Sequence, residues 1–201
     1  MKQVPFEEGR FYHVFNRGNN KENIFIEEKN YNFFLQKLKL HLLPICNIYA
    51  YCLLPNHFHL VLQIKNYNNL PTNYKNGKRK LHQPFSNLLN SYTKSINKAF
   101  NRTGSLFQEH LHRNVIDNET YFRDLILYVL LNPVNQGFTN NFKTYPHSSF
   151  LATFNSGKTD IMRKEVIDSF ENIENIIYCL DRRIVINQQR LKEIEENDIW
   201  L

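Results

Sequence analysis

The chain has 201 residues, 42% apolar and 14% aromatic, which suits a single domain with a core and excludes a disordered chain. Its formal net charge is +6 and is concentrated in residues 65–116, where nine Lys and Arg stand against Glu109 alone, the footprint of a partner with a phosphate backbone. Three cysteines (Cys46, Cys52 and Cys179), with no Cys-x-x-Cys pair, exclude a disulfide framework and a thiolate zinc site and point to a reducing compartment. No apolar leader opens the sequence and no run could span a bilayer, so the expected setting is cytoplasmic, nucleoid-associated when bound to DNA, with no membrane partner.

Residues 10–17 are rich in aromatic and β-branched side chains and predict a first strand. The strand runs into a polar turn around Gly18, whose N–H groups beside Arg17 and Lys21 suit a phosphate contact, although an ordinary turn has the same composition. Over residues 28–43, Tyr31, Phe34, Leu35, Leu38 and Leu42 recur at helical spacing, and Pro44 ends the helix. Residues 45–54 and 57–65 read as two strands, antiparallel because only Pro55 and Asn56 join them. Residues 66–83, rich in Asn, Lys and Pro, read as a flexible loop.

A second helix is predicted over residues 84–100 from Phe85, Leu88, Leu89, Tyr92, Ile96 and Phe100, with Pro84 near its start. Residues 106–108 and 112–116 look like short extended segments containing a fourth strand. Asp117, Asn118 and Glu119 signal a helix start, and that helix is expected to end at Asn132 before Pro133. A tyrosine–proline loop then reaches Phe150. Helices over residues 159–180 and 182–198 complete the reading. The expected fold is α+β: a ferredoxin-like antiparallel sheet of four or five strands with helices on one face, in a domain of residues 1–150, followed by a helical appendage over 151–201.

His57 and His59 sit one residue apart in the third strand and therefore share a face, a bidentate half-site for a divalent metal. Tyr128 and Asn132 are four apart on the last helix of the domain and share a face of it. If that face covers the histidines, the Asn132 carbonyl can supply an oxygen ligand beside the Tyr128 phenol. Imidazole and oxygen ligands suit Mg2+ or Mn2+ with open positions for a phosphodiester, which a tyrosine oxygen can attack to leave a phosphotyrosine. From spacing alone, the more ordinary reading is that Tyr128 is a core aromatic and Asn132 a helix-end residue. Tyr92, in the basic block, is a rival nucleophile, but Ile96 stands where a ligand would be needed.

Five stretches taken together carry a resemblance: residues 12–18 (YHVFNRG), 55–60 (PNHFHL), 104–108 (GSLFQ), 128–134 (YVLLNPV) and 145–150 (YPHSSF). Over residues 10–150 the chain resembles the REP-associated tyrosine transposases, within the single-tyrosine HUH transposases that act on single-stranded DNA. The resemblance implies that His57, His59 and Asn132 hold the metal and that Tyr128 is the nucleophile. It further implies cleavage of single-stranded DNA at a hairpin, with a 5′-phosphotyrosine and a free 3′-OH, and rejoining by the reverse attack.

Two other readings compete: a catalytically silent module that binds nucleic-acid hairpins, and a metal-dependent hydrolase that uses water. Arg17, Lys78, Arg79, Lys80, Arg102, Gln108 and Arg113 are the candidates for DNA contact, from charge or from membership of the matching stretches. The sequence is compatible with a monomer or a homodimer.

Overall fold

The computed structural model describes residues 4–186. Four strands form one antiparallel sheet: β1 (Phe11–Arg17), β2 (Cys46–Leu54), β3 (His57–Ile64) and β4 (His112–Ile116), in the order β2-β3-β1-β4. Seven α-helices occur among the described residues: α1 (Glu28–His41), α2 (Thr72–Lys75), α3 (Gln83–Ala99), α4 (Glu119–Asn135), α5 (Phe150–Phe154), α6 (Arg163–Ser169) and α7 (Ile173–Ile186). None is long and apolar enough to cross a membrane.

Strand alternation sorts the core into two layers. Tyr12 and Val14 of β1 and Phe58, Leu60 and Leu62 of β3 turn to one face, where they pack with Phe34 of α1 and Phe85, Leu88 and Tyr92 of α3. These two helices are the ferredoxin-like pair expected on one side of the sheet. Val61 of β3 and Ala50, Cys52 and Leu54 of β2 turn the other way, under Leu125, Ile126, Val129 and Leu130 of α4. A bulge at Tyr49 shifts the β2 register between Ile48 and Ala50 and puts Tyr49 and Ala50 on the same side, enlarging the floor beneath α4. On its far side α4 is covered by Val166, Phe170, Ile176 and Leu180 of the C-terminal helices. A helix buried on two sides has to be apolar nearly all round, which is why residues 125–131 read as one hydrophobic run.

Several boundaries differ from the sequence reading. The loop expected over 66–83 contains a 3-10 turn (Tyr67–Asn69) and the short helix α2. Helix α4 does not stop before Pro133 but continues to Asn135. Its N-terminus is as expected: Asn118 Oδ1 accepts from Tyr121 N at 2.8 Å. Pro133 sits in the last turn, where its missing N–H deletes a single helical bond, and its carbonyl accepts from Phe138 N at 2.8 Å. Residues 106–108 form an isolated bridge, Gly18 to Phe107, in place of a strand. The loop through Tyr145 is followed by α5 and is tied to the edge of β2 by Leu53 N to His147 O at 2.9 Å and Ser149 N to Tyr51 O at 2.8 Å. The helix expected over 159–180 is two, α6 and α7, broken where Glu171 adopts φ +73°. Helix α7 runs without a break through the boundary expected at 181 as far as Ile186, and the rest of the second predicted C-terminal helix, 182–198, lies outside the described residues.

Candidate functional site

The site is built where β1 and β3 face α4. Cross-strand register pairs Phe15 with His59 and Arg17 with His57, so His13, Phe15 and Arg17 of β1 share a face with both histidines of β3. The rings of His57 and His59 lie 5.2 Å apart and nearly perpendicular. Tyr128 comes down from α4 edge-on to His59, with ring centroids 5.5 Å apart, and stands 6.1 Å from the ring of His13. One turn further along α4, Asn132 lies beside His57. The four residues that the sequence marks for chemistry are thus adjacent, and all four are buried.

Their electrostatics suit ligation. Burial pushes the His57 pKa down to about 4, the Arg17 charge adds to this, and the Asn132 amide opposes it. Burial, with the neighbouring His13, His57 and Arg17, pushes His59 well below the usual imidazole range. Both rings are therefore neutral at pH 7, the form that binds a metal. The Asn132 carboxamide is wholly enclosed, yet neither Oδ1 nor Nδ2 makes a well-formed hydrogen bond. A buried amide in that state costs about 1–3 kcal/mol, and a partner that supplies a positive charge to Oδ1 relieves it. Among the described residues there is no group of three His, Cys, Asp or Glu suited to a metal, so any ion here relies on an amide oxygen as its third protein ligand. Two imidazoles and one amide oxygen fit a divalent ion that retains open positions.

Two residues beside the site were not assigned from sequence. His13 Nε2 lies 2.9 Å from His59 Nδ1, and the contact is fully buried. Asn56 Oδ1 lies 2.6 Å from His57 Nδ1. The signal was available for His13, since alternation along residues 13, 15 and 17 puts it on the face of Arg17. Gly18, directly after Arg17, donates its N–H to Asn56 O at 2.8 Å. A Cβ there would come within 2.0 Å of Glu22 O, so the turn that holds Asn56 admits only glycine.

The DNA-contact candidates fall into separate places. Arg17 is on the metal-site side, half-buried, with its guanidinium pKa lowered by burial. Gln108 is next to it, its N–H donating to Arg17 O at 2.9 Å. Lys78, Arg79 and Lys80 are exposed on the segment leading into α3. Arg79 and Lys80, with Phe6, His82, Phe85 and Arg113, line a cavity of about 680 Å³. Arg113 pairs in register with Val14 and so points to the α1/α3 face, opposite Tyr128, where its guanidinium covers the ring of Phe6 at 4.5 Å. Arg102 is held by Glu22 at 2.5 Å and by Asn97 Oδ1 at 3.0 Å. The rival Tyr92 is wholly buried on that same α1/α3 face, with its OH donating to Ile24 O at 2.8 Å.

No protein-family profile and no curated protein matches the chain. Solved structures do. A REP-associated tyrosine transposase bound to a REP hairpin is similar at 14% identity and a TM-score of 0.57, over 81% of this chain and 94% of that one. A putative transposase from Deinococcus radiodurans is similar at 13% identity and a TM-score of 0.39, over 62% of this chain and 93% of that one. A bacterial tRNA(His) guanylyltransferase-like protein in complex with GTP is similar at 13% identity and a TM-score of 0.40, over 69% of this chain and 73% of that one. At these identities the first likeness shows a shared fold.

Proposed function

We propose that the protein is a metal-dependent single-stranded DNA endonuclease and strand-transferase that acts at hairpins, with Tyr128 as nucleophile. The observation that carries this reading is the convergence of Tyr128 and Asn132, one turn apart on α4, on His57 and His59 of β3. The chain shares its fold with a transposase whose structure holds a REP hairpin, and that supports a DNA hairpin as the partner.

In this reading His57, His59 and Asn132 would hold Mg2+ or Mn2+, and the bound ion would supply Lewis-acid polarisation of the scissile phosphodiester. Tyr128 Oη attacks phosphorus, the bond to the 3′ oxygen breaks, and that oxygen leaves as a free 3′-OH. The tyrosine is left esterified to the 5′ phosphate, and its proton passes to solvent or to the leaving oxygen. The bond energy is conserved in the phosphotyrosine, so a 3′-OH can reverse the attack and join strands without a nucleotide cofactor. Arg17 supplies positive charge next to the histidines, where negative charge develops on the phosphate. Lys78, Arg79 and Lys80 track the phosphate backbone on the far side of the sheet, a role in which loss of any one weakens binding without changing sequence preference.

The test is a denaturing gel of protein mixed with labelled hairpin oligonucleotides from the flanks of its own gene, with Mg2+ or Mn2+. A protein–DNA band that needs the metal and disappears in Tyr128→Phe is the expected result. Binding without any covalent product would favour a silent hairpin-binding module, and cleavage without the band would make water the nucleophile.

A further inference from the structure

We infer that His13 and Asn56 are the orienting residues of the metal site: each engages Nδ1 of one histidine, so that Nε2 is the nitrogen each ring would offer to a shared ion. The inference deepens the metal reading given above and rests on it.

A neutral imidazole has one N–H and one lone pair, and the bond made by one nitrogen decides which of them the other presents. Asn56 Oδ1 is 2.6 Å from His57 Nδ1. An amide oxygen only accepts, so Nδ1 carries the proton and Nε2 of His57 presents its lone pair. His13 Nε2 is 2.9 Å from His59 Nδ1. For His59 to ligate through Nε2 its Nδ1–H must donate, which makes His13 Nε2 the acceptor. The two contacts thus require the same outcome of two different rings.

The geometry is fixed from several sides. His13 sits on the neighbouring strand, two pairs along from the Phe15–His59 pair and on the same face, and reaches His59 diagonally. It is wholly buried, and its ring lies 5.1 Å from that of His59 at an interplanar angle of 16°. Asn56 is held in turn by the Gly18 turn, through Gly18 N to Asn56 O and its own Nδ2 to Lys21 O at 3.4 Å. A histidine filling core volume needs neither the acceptor nor the diagonal reach.

The experiment measures Mn2+ affinity of the full chain by electron paramagnetic resonance and by titration calorimetry, with thermal melts alongside. His13→Gln retains an amide oxygen near the position of Nε2, whereas His13→Phe fills the ring volume and accepts nothing. His13→Phe is expected to weaken Mn2+ binding about 10–100-fold, as loss of an outer-shell partner does elsewhere. His13→Gln should stay within about threefold of wild type, since the acceptor survives. If the phenyl ring disrupts the fold, His13→Leu removes the acceptor without added bulk. Asn56→Ala and Asn56→Asp form the parallel pair for His57, with the aspartate keeping the acceptor. Equal affinity in wild type and His13→Phe, or equal loss in His13→Phe and His13→Gln, overturns the orienting role while leaving the metal site standing. A wild-type protein that binds no Mn2+ overturns the metal site itself and this inference with it.

Discussion

Asn132 offers the sharpest test, because a residue kept for a ligand should be a burden without it. Its side chain is 0% exposed, and neither of its polar atoms makes a well-formed hydrogen bond, although the amide lies close enough to His57 to oppose the fall in that ring's pKa. Two unsatisfied groups at about 1–3 kcal/mol each set the upper limit of that burden. Leucine has nearly the same shape and no polar atom, so Asn132→Leu should stabilise the metal-free protein by about 1–3 kcal/mol once imperfect packing is allowed for. For a chain of this length each kcal/mol moves Tm by roughly 2–4 °C, so the melt should rise by about 2–12 °C. The assay is a calorimetric or circular-dichroism melt in EDTA, run beside the covalent-adduct gel. The expected pair of results is a higher Tm and no adduct. A lower Tm in EDTA would mean that the amide supports the fold, and the case for it as a ligand in waiting would be lost.

Charge removal at Arg79 and Lys80 together should reduce the slope of log affinity against log salt for a hairpin by about 1.5, with little change in which hairpin is preferred. An unchanged slope would take both residues out of the interface. Alkaline stability should fall early. Burial pushes Tyr31 and Tyr49 up to about 12 in the folded protein, while an unfolded tyrosine ionises near 10. Folding therefore favours the protonated phenol, the benefit is complete below pH 10, and it is lost as pH rises towards 12. Urea unfolding at stepped pH should show a loss of about 1–2 kcal/mol per tyrosine across that window, partial solvation having reduced the full value. A flat profile from pH 10 to 12 would contradict the burial of both phenols.

The parts of this architecture that follow short-range periodicity were legible in the sequence. The pairing of β2 with β3 follows from their two-residue connection, and the common face of His57 and His59 follows from alternation. The shared face of Tyr128 and Asn132 follows in the same way from helical spacing. What lay beyond reach depends on registers between distant segments. That His13 bonds to His59 requires the β1–β3 register, with Phe15 opposite His59. That Arg102 pairs with Glu22 and Arg113 covers Phe6 requires the loops to be placed first, so net charge alone could not separate positions committed to the fold from those open to DNA. Pro133 misled because the bias against helical backbone before a proline is a preference and not a prohibition, and the helix here runs two residues past it to Asn135.

Strand β3 is an interior strand of the sheet, bonded to β2 on one side and β1 on the other, with helices packed over both its faces. Its amide hydrogens can meet solvent only when the sheet as a whole comes apart, whereas loops and chain ends open separately and at far lower cost. The histidines therefore sit on backbone that should rank, with β1, among the slowest to exchange of the described residues.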